Sequence, residues 1–214
     1  MDQPDFERAM AYALARLSRE LSPKLTYHSL AHTQLDVVPA AERLAALEGV
    51  TDQDLMLLCT AAYFHDIGYV EQWADHEVIG VRIVRTILPR FGYGPAHIEA
   101  ISGMIMATRI PQRPDDLLQA ILADADLDLL GRTDYLDLSH ALRAERAALG
   151  HVSTDQEWYG RQLEFIQSHR FLTAAAQRLR EAKQQENIEM MARLFAQSQS
   201  KADQTQHAPH VGIA

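Results

Sequence analysis

Residues 55–69 read LMLLCTAAYFHDIGY, a segment that is apolar on every side until it ends in His65 and Asp66, followed by Gly68. A helix without a polar face is normally buried, so we expect this one to cross the centre of the fold. An imidazole and a carboxylate at the end of a buried helix are costly unless both are satisfied, and a metal ion satisfies both at once. A capping or hydrogen-bonded His–Asp pair is the simpler alternative for this dipeptide taken alone.

The composition limits the class of protein and its partners. A chain of 214 residues can bury one substantial core, which predicts one domain. The net charge of −9 has the wrong sign for holding a long nucleic acid. No apolar run approaches the length of about 20 residues that spans a bilayer, and the charged first ten residues lack the apolar core of a secretory signal. With only one cysteine, Cys59, the chain can form no internal disulfide, and we expect a cytoplasmic protein without membrane contacts.

Apolar residues recur at helical spacing along most of the chain, and alternating strand patterns are absent. This periodicity predicts an all-α fold in which residues 1–197 form a single helical domain, with an additional helical segment at its C-terminal end. The segment from Ser198 to the C-terminus has few apolar anchors, and we expect residues 198–214 to be a disordered tail.

Two histidine motifs flank the central segment. His28 and His32 are four residues apart and therefore project from one face of a helix. A zincin helix has the same spacing, but Ser29 stands where its general-base glutamate would be. On the other side, His76 and Glu77 open a helix whose N-terminus could face an anion. Solvated or capping histidines are the alternative at both places.

Acidic and basic candidates follow in the second half. Residues 122–131 read LADADLDLLG, and helical phase places Asp126 and Asp128 on either border of the apolar stripe, so either one can reach the core. Asp124 points away and is expected at the surface or in a supporting position. The proline-containing link at residues 108–114 carries Arg109 and Arg113, either of which could bind a substrate phosphate.

Taken in order, His32, His65, Asp66 and Asp126 resemble the pattern of the HD superfamily of metal-dependent phosphohydrolases, over about residues 27–131. Residues 27–32, YHSLAH, are similar to a signature of the cyclic nucleotide phosphodiesterases, which implies that His32 is a metal ligand and His28 a general acid. The context Ala125-Asp126-Leu127 is similar to that of the last ligand in the same enzymes. Residues 75–84, DHEVIGVRIV, resemble a segment of the dNTP triphosphohydrolases, which implies a phosphate-facing role for His76, with Glu77 assisting.

The resemblance implies an HD-type helical bundle and a phosphohydrolase that uses metal-activated water. One or two divalent ions (manganese, iron, magnesium, nickel or zinc) would be held by His32, His65, Asp66 and Asp126, lowering the pKa of bound water toward about 7. Asp66 then belongs to the catalytic group with His28 and His76. The implied substrate is a small phosphorylated molecule, a nucleotide by analogy, and the sequence is compatible with a homo-oligomer.

One departure from the family pattern and one alternative function qualify this interpretation. Tyr69 occupies the position where 5′-deoxynucleotidases and ppGpp hydrolases have an acidic residue, so we do not expect those two activities. The alternative to an enzyme is a non-catalytic HD module that binds a nucleotide or a partner protein as a sensor or scaffold. Such modules tend to lose ligands, whereas this sequence retains all four, which favours the enzyme.

Overall fold

The computed structural model describes residues 4–206 and is built from helices joined by short turns. Within that range no residue belongs to a strand, so the predicted all-α fold is confirmed. No helix of this part of the chain is both long and apolar enough to cross a membrane. The helices are α1 Phe6–Glu20, α2 Val38–Glu48, α3 Asp52–Phe64, α4 His76–Ile87, α5 Pro95–Ala107, α6 Leu117–Asp126, α7 Tyr135–Ala148, α8 Asp155–Ser168 and α9 Ala174–Gln206.

Helix α3 lies at the centre of the bundle, as its uniformly apolar sequence predicts. Leu58, Ala61, Ala62 and Phe64 are completely buried, and α3 packs against α1, α2, α5 and α6. Burial of an aliphatic or aromatic side chain of this size contributes about 1.5–3 kcal/mol, so this helix supplies a large share of the core. Its C-terminal end carries the His–Asp pair into the interior.

A π-helical turn, His32–Val37, leads directly into α2. Pro39 lies in the first turn of α2, where the wider hydrogen-bonding pattern of the preceding π turn accommodates a residue without an N–H donor. The helix then continues to Gly49, whose φ of 75° ends it in the left-handed conformation. The π turn sets the direction in which His32 leaves the backbone.

Two close approaches require glycine. A Cβ at Gly68, in the 3₁₀ turn Ile67–Val70 after α3, would collide with the backbone carbonyl of His76 at the start of α4. A Cβ at Gly131, in the 3₁₀ turn Asp128–Gly131 after α6, would collide with the backbone of Arg180 in α9. Glycine therefore allows α4 and α9 to pack directly on the turns that follow the two site-bearing helices.

The C-terminal helices α8 and α9 pack against each other, and α9 also covers the turn after α6. The predicted start of a disordered tail at Ser198 is wrong, because α9 continues to Gln206. Ser198 is itself buried, and its hydroxyl donates a hydrogen bond to the carbonyl of Phe195 within the helix. The remainder of that predicted tail, residues 207–214, lies outside the described residues.

Candidate metal centre

The first residue of the π turn, the end of α3 and the end of α6 meet at one buried point. The Oδ1 atom of Asp126 lies 3.4 Å from Nε2 of His32 and 3.5 Å from Nε2 of His65. The Oδ2 atom of Asp66 lies 3.2 Å from Nε2 of His65 and 3.9 Å from Nε2 of His32. Four residues from three separated segments therefore direct nitrogen and oxygen atoms at a common position.

Three of these converging atoms form no hydrogen bond of ordinary geometry in the described part of the protein, although they lie close enough to one another to interact as charges. Nε2 of His32, Nε2 of His65 and Oδ2 of Asp66 are buried without a hydrogen-bond partner, and ligand atoms of the three residues lie within 4.8 Å of one another. Unpaired buried polar atoms cost free energy, and such atoms are rare in folded proteins. The simple alternative of a hydrogen-bonded His–Asp pair therefore does not describe His65 and Asp66, and the donor set fits a divalent cation.

The second nitrogen of each histidine is positioned in the way that metal-binding imidazoles require. Nδ1 of His65 donates to the carbonyl of Ala62 at 2.8 Å, which leaves the lone pair on Nε2 toward the centre. Nδ1 of His32 faces Asp36 at 3.8 Å, and Asp36 is in turn held by Arg132 at 2.5 Å. The imidazole of His65 is thus oriented by a hydrogen bond, and the second nitrogen of His32 faces a carboxylate.

The electrostatics of the cluster favour positive charge. Burial by itself lowers the pKa of His32, but the carboxylates of Asp126 and Asp36 outweigh it and raise that pKa to about 9. The pKa of His65 is likewise lowered by burial, yet it is raised well above its ordinary value by Asp66 and Asp126. Burial raises the pKa of Asp66, whereas the neighbouring histidines lower it much further. A divalent cation would supply the charge that protons on the imidazoles otherwise provide.

Asp126, not Asp128, is the aspartate that faces the histidines. Asp128 is buried in a bidentate pair with Arg180, whose Nε and Nη2 atoms each lie 2.7 Å from a carboxylate oxygen. Arg43 adds a third contact to Asp128 at 3.1 Å. The hydrogen bonds of Asp128 within the described residues therefore go to α2 and α9, whereas the carboxylate of Asp126 faces the histidines.

Asp124 is completely buried, so the expectation that it could lie at the surface is wrong. Its carboxylate accepts hydrogen bonds from the backbone N–H groups of Leu172 and Thr173 and from the Thr173 hydroxyl, each at 2.8 Å. The face of α6 that appeared to point at solvent is covered by the loop between α8 and α9. Asp124 therefore anchors the connection between α8 and α9, and its hydrogen bonds go to that loop instead of to a residue of the metal cluster.

His28 lies just before the π turn and is held by a residue that the sequence analysis missed. Its Nδ1 donates to Oε1 of Glu145 at 2.5 Å, while Oε2 of Glu145 accepts from the backbone N–H groups of Tyr27 and His28 at 2.8 and 2.9 Å. Glu145 is completely buried. Burial raises the pKa of Glu145, but the bonds from His28 and the two N–H groups more than compensate and lower it. The carboxylate is therefore ionised and fixes the orientation of the imidazole.

Tyr69 separates His28 from His76. Its ring stacks on the imidazole of His28 at a centroid distance of 4.6 Å and on that of His76 at 4.0 Å. Nε2 of His76 lies 3.4 Å from Oδ1 of Asp66, and its Nδ1 lies 3.6 Å from the carboxylate of Glu77. Tyr69, which stands where 5′-deoxynucleotidases and ppGpp hydrolases have an acidic residue, thus lies between the two imidazole rings.

A cavity of about 620 Å³ opens beside the cluster. His28, Asp66, His76, Glu77 and Asp126 contribute to its lining.

Arg109 also lines the cavity, where its guanidinium pairs with Asp75 at 2.5 Å. Arg113 is exposed and is not among the described residues that line the cavity. The structure therefore brings one of the two predicted phosphate-binding arginines to the site and leaves the other in the exposed link.

Comparison with known proteins agrees with this geometry. The model of the HD domain family matches residues 11–128. The crystal structure of a predicted HD superfamily hydrolase from an uncultured Thermotogales bacterium superposes with a TM-score of 0.60 and 20% identity, over 91% of this chain and 93% of the other. At this identity the likeness shows a common fold. Among curated proteins, no sequence matches the chain. Because the family match spans more than half of its length and includes all four converging residues, the chain belongs to the HD domain family.

Proposed function

We propose that this protein is a metal-dependent phosphohydrolase that cleaves a phosphomonoester or phosphodiester of a small molecule, with a nucleotide as the class that the family resemblance implies. The observation that carries the proposal is the set of buried, unpartnered ligand atoms on His32, His65 and Asp66, described above within residues 4–206. A cavity large enough for an organic phosphate adjoins them. The proposed function involves neither a membrane nor a long nucleic acid as a partner. It includes the cytoplasmic location that the composition predicts.

His32, His65, Asp66 and Asp126 would hold the metal. Two imidazoles and two carboxylates suit manganese, iron, magnesium, nickel or zinc, and His76 and Glu77 lie close enough to assist at a second ion. When bound, a divalent ion lowers the pKa of water and neutralises charge on a phosphoryl oxygen.

Side chains of the protein supply the proton for the leaving oxygen and orient the substrate. His28 lines the cavity, and its Nδ1 is committed to Glu145, which leaves Nε2 as the nitrogen that can carry a proton to the leaving oxygen. His76 lies on the opposite side of Tyr69, where it can donate to a phosphoryl oxygen. Arg109 adds positive charge to the lining of the cavity.

The test begins with metal content, measured by mass spectrometry on protein purified without a histidine tag. We expect one or two equivalents of metal, and none in a variant that combines His65→Ala with Asp66→Ala. The control is His140→Ala, because His140 is exposed on α7 and contacts Tyr159 instead of the cluster. Circular dichroism of the metal-free proteins checks that all variants are folded.

A panel of nucleotides and simple phosphate esters then tests turnover in the presence of the metal found. The double variant should be inactive and His140→Ala fully active. Full activity in the double variant would show that this site does not carry the reaction. Absence of stoichiometric metal after addition of manganese or iron would favour the non-catalytic HD module instead.

A further inference from the structure

The cavity beside the metal centre is much larger than a phosphate group requires, and one part of its remaining lining is apolar. We call the residues of this second part the apolar arm; they come from the end of α6, the turn after it, α7 and α8. Trp158 and Leu130 are almost completely buried there. The residues of the apolar arm are Leu127, Leu129, Leu130, Leu142, Trp158 and Phe165.

The apolar arm is mostly built by the part of the chain that follows the family match. That match ends at residue 128, so α7, α8 and the turn Asp128–Gly131 are supplied almost entirely by later residues. The metal cluster and the apolar arm nevertheless line one continuous cavity. A molecule whose phosphate lies at the cluster would therefore place its organic part against these later helices.

One polar group in the wall of the cavity forms no hydrogen bond within the described part of the protein. Tyr135 is completely buried, lines the cavity, and its hydroxyl has no hydrogen-bond partner. The neighbouring polar groups are partnered, because Nε1 of Trp158 donates to Oγ of Ser139 at 3.2 Å, and that hydroxyl donates to Gln162. A buried unpaired hydroxyl is unfavourable, so Tyr135 is suited to bond a polar atom of a ligand.

Positive charge is confined to the exposed part of the cavity. Arg161 is exposed, and the guanidinium of Arg146 lies over the ring of Trp73, itself 40% exposed, at 5.8 Å. Arg109 joins them in the lining. The charged groups are thus at the metal cluster and at the mouth, while the apolar arm between α7 and α8 is suited to an uncharged group.

We propose that the apolar arm binds the organic group of the substrate, and that this group ends in a flat, largely apolar ring system carrying a hydrogen-bonding atom for Tyr135. The proposal rests on the proposed phosphohydrolase function, in which water adds to phosphorus, the P–O bond breaks and the alcohol leaves with a proton. The ring system stays in the released alcohol, so the alcohol alone should also occupy the apolar arm.

The kinetic test compares ethyl phosphate with 2-(2-naphthyl)ethyl phosphate, which have the same type of leaving oxygen and differ in the ring. We expect kcat/KM to be about 30-fold higher for the naphthyl ester, the order expected for burying a large apolar group. Leu142→Phe, which fills the apolar arm, should remove most of that advantage, so that the ratio of the two kcat/KM values falls toward one. Ala144→Phe adds the same ring at an exposed position of α7 outside the lining and should change neither substrate.

A second comparison isolates the hydroxyl of Tyr135. The 6-hydroxynaphthyl ester should be preferred over the naphthyl ester by about fivefold, as expected for one hydrogen bond to a buried group. Tyr135→Phe removes the hydroxyl without changing the shape of the wall, and it should abolish this preference. A preference that survives in Tyr135→Phe would overturn the assignment of Tyr135.

Calorimetric titration with 2-(2-naphthyl)ethanol, the dephosphorylated alcohol, separates the two proposals. Binding that is weakened by Leu142→Phe but not by Ala144→Phe, without hydrolysis of any ester, would support the apolar arm and refute the phosphohydrolase. Equal kcat/KM for the two esters, with no binding of the alcohol, would overturn the apolar arm and leave the phosphohydrolase standing. A preference for ethyl phosphate would also overturn the proposed role of the apolar arm.

Discussion

Replacing Asp126 by asparagine is expected to remove metal binding, whereas the same replacement two residues later, at Asp128, is expected to remove stability. Asp126 is the last residue of α6 and Asp128 the first residue of the turn after it; both side chains are mostly buried, and each variant loses one negative charge. They differ in what their carboxylates face. The pair of variants therefore separates a ligand from a structural anion, with each variant serving as the control for the other.

The magnitude for Asp126→Asn follows from its contacts. A metal at a free concentration of 100 times Kd stabilises the folded wild type by about 2.7 kcal/mol. In a chain of this size that corresponds to a rise in Tm of about 5–10 °C. Oδ1 of Asp126 lies 3.4 and 3.5 Å from the two Nε2 atoms that it complements, so a neutral amide oxygen there weakens the site at its centre. We expect the metal-induced rise in Tm to fall below about 2 °C.

The magnitude for Asp128→Asn follows from the ion pair with Arg180. Both bonds of the bidentate pair are 2.7 Å, and the side chain of Arg180 is 21% exposed. Breaking a fully buried pair costs about 3–5 kcal/mol, and partial exposure of the arginine reduces this to about 2 kcal/mol. The metal-free Tm should therefore fall by about 4–8 °C. The rise on adding metal should remain as in the wild type.

Thermal unfolding followed by circular dichroism, after chelation and again after addition of manganese, measures both quantities for each variant. The reasoning would be refuted if Asp128→Asn lost the metal-induced rise while Asp126→Asn kept it, because the ligand would then be the other aspartate. If both variants kept the rise, the metal would be bound at another site.

Three further predictions concern positioning, pH and packing. Glu145→Gln keeps the shape but removes the charge that orients His28, so kcat should fall about 10- to 100-fold with metal content unchanged, and an unaltered kcat would exclude His28 as the acid. Burial lowers the pKa of His169 to about 4 in the folded protein. As the pH falls below about 6.5, the unfolded chain therefore takes up a proton at this histidine before the folded protein does. The free energy of unfolding should drop by about 1 kcal/mol from pH 7 to pH 5, after allowance for the partial exposure of His169. Denaturant titration should show a smaller drop in His169→Gln, and an identical drop would contradict this account. Gly68→Ala should lower the free energy of unfolding by about 1–3 kcal/mol by displacing the start of α4. Gly94→Ala, whose new Cβ would meet no described atom within 4 Å, replaces only the N-cap glycine of α5 and should have the smaller effect in the same titration; equal effects would argue against a tight contact at Gly68.

The fold and the ligand candidates were predictable because local patterns encode them. Uniform apolarity marks α3 as central, and His65 and Asp66 are adjacent in the sequence at its end. The choice between Asp126 and Asp128 was not predictable from helical phase. Helix α6 ends at Asp126 and a 3₁₀ turn begins at Asp128, so the angle of 100° per residue no longer applies between them.

Long-range partners were beyond the reach of the sequence. Glu145 lies on α7, 117 residues from His28, in a pattern that reads as an ordinary charged helix face. Asp124 was placed wrongly for the same reason, because the loop that covers it lies 48 residues away. A buried carboxylate and an exposed one look alike in a sequence until the element packed against them is known.

Asp124, Asp126 and Asp128 contact different neighbours, and these contacts limit how far the protein can be shortened without disturbing the site. The middle aspartate faces the histidines, while those on either side are tied to the α8–α9 loop and to Arg180 of α9. The segment that carries Asp126 is therefore anchored by the last third of the chain. Truncation after the family match would remove the partners of Asp124 and take Arg180 away from Asp128, so we expect metal binding at the cluster to require a chain that extends into α9.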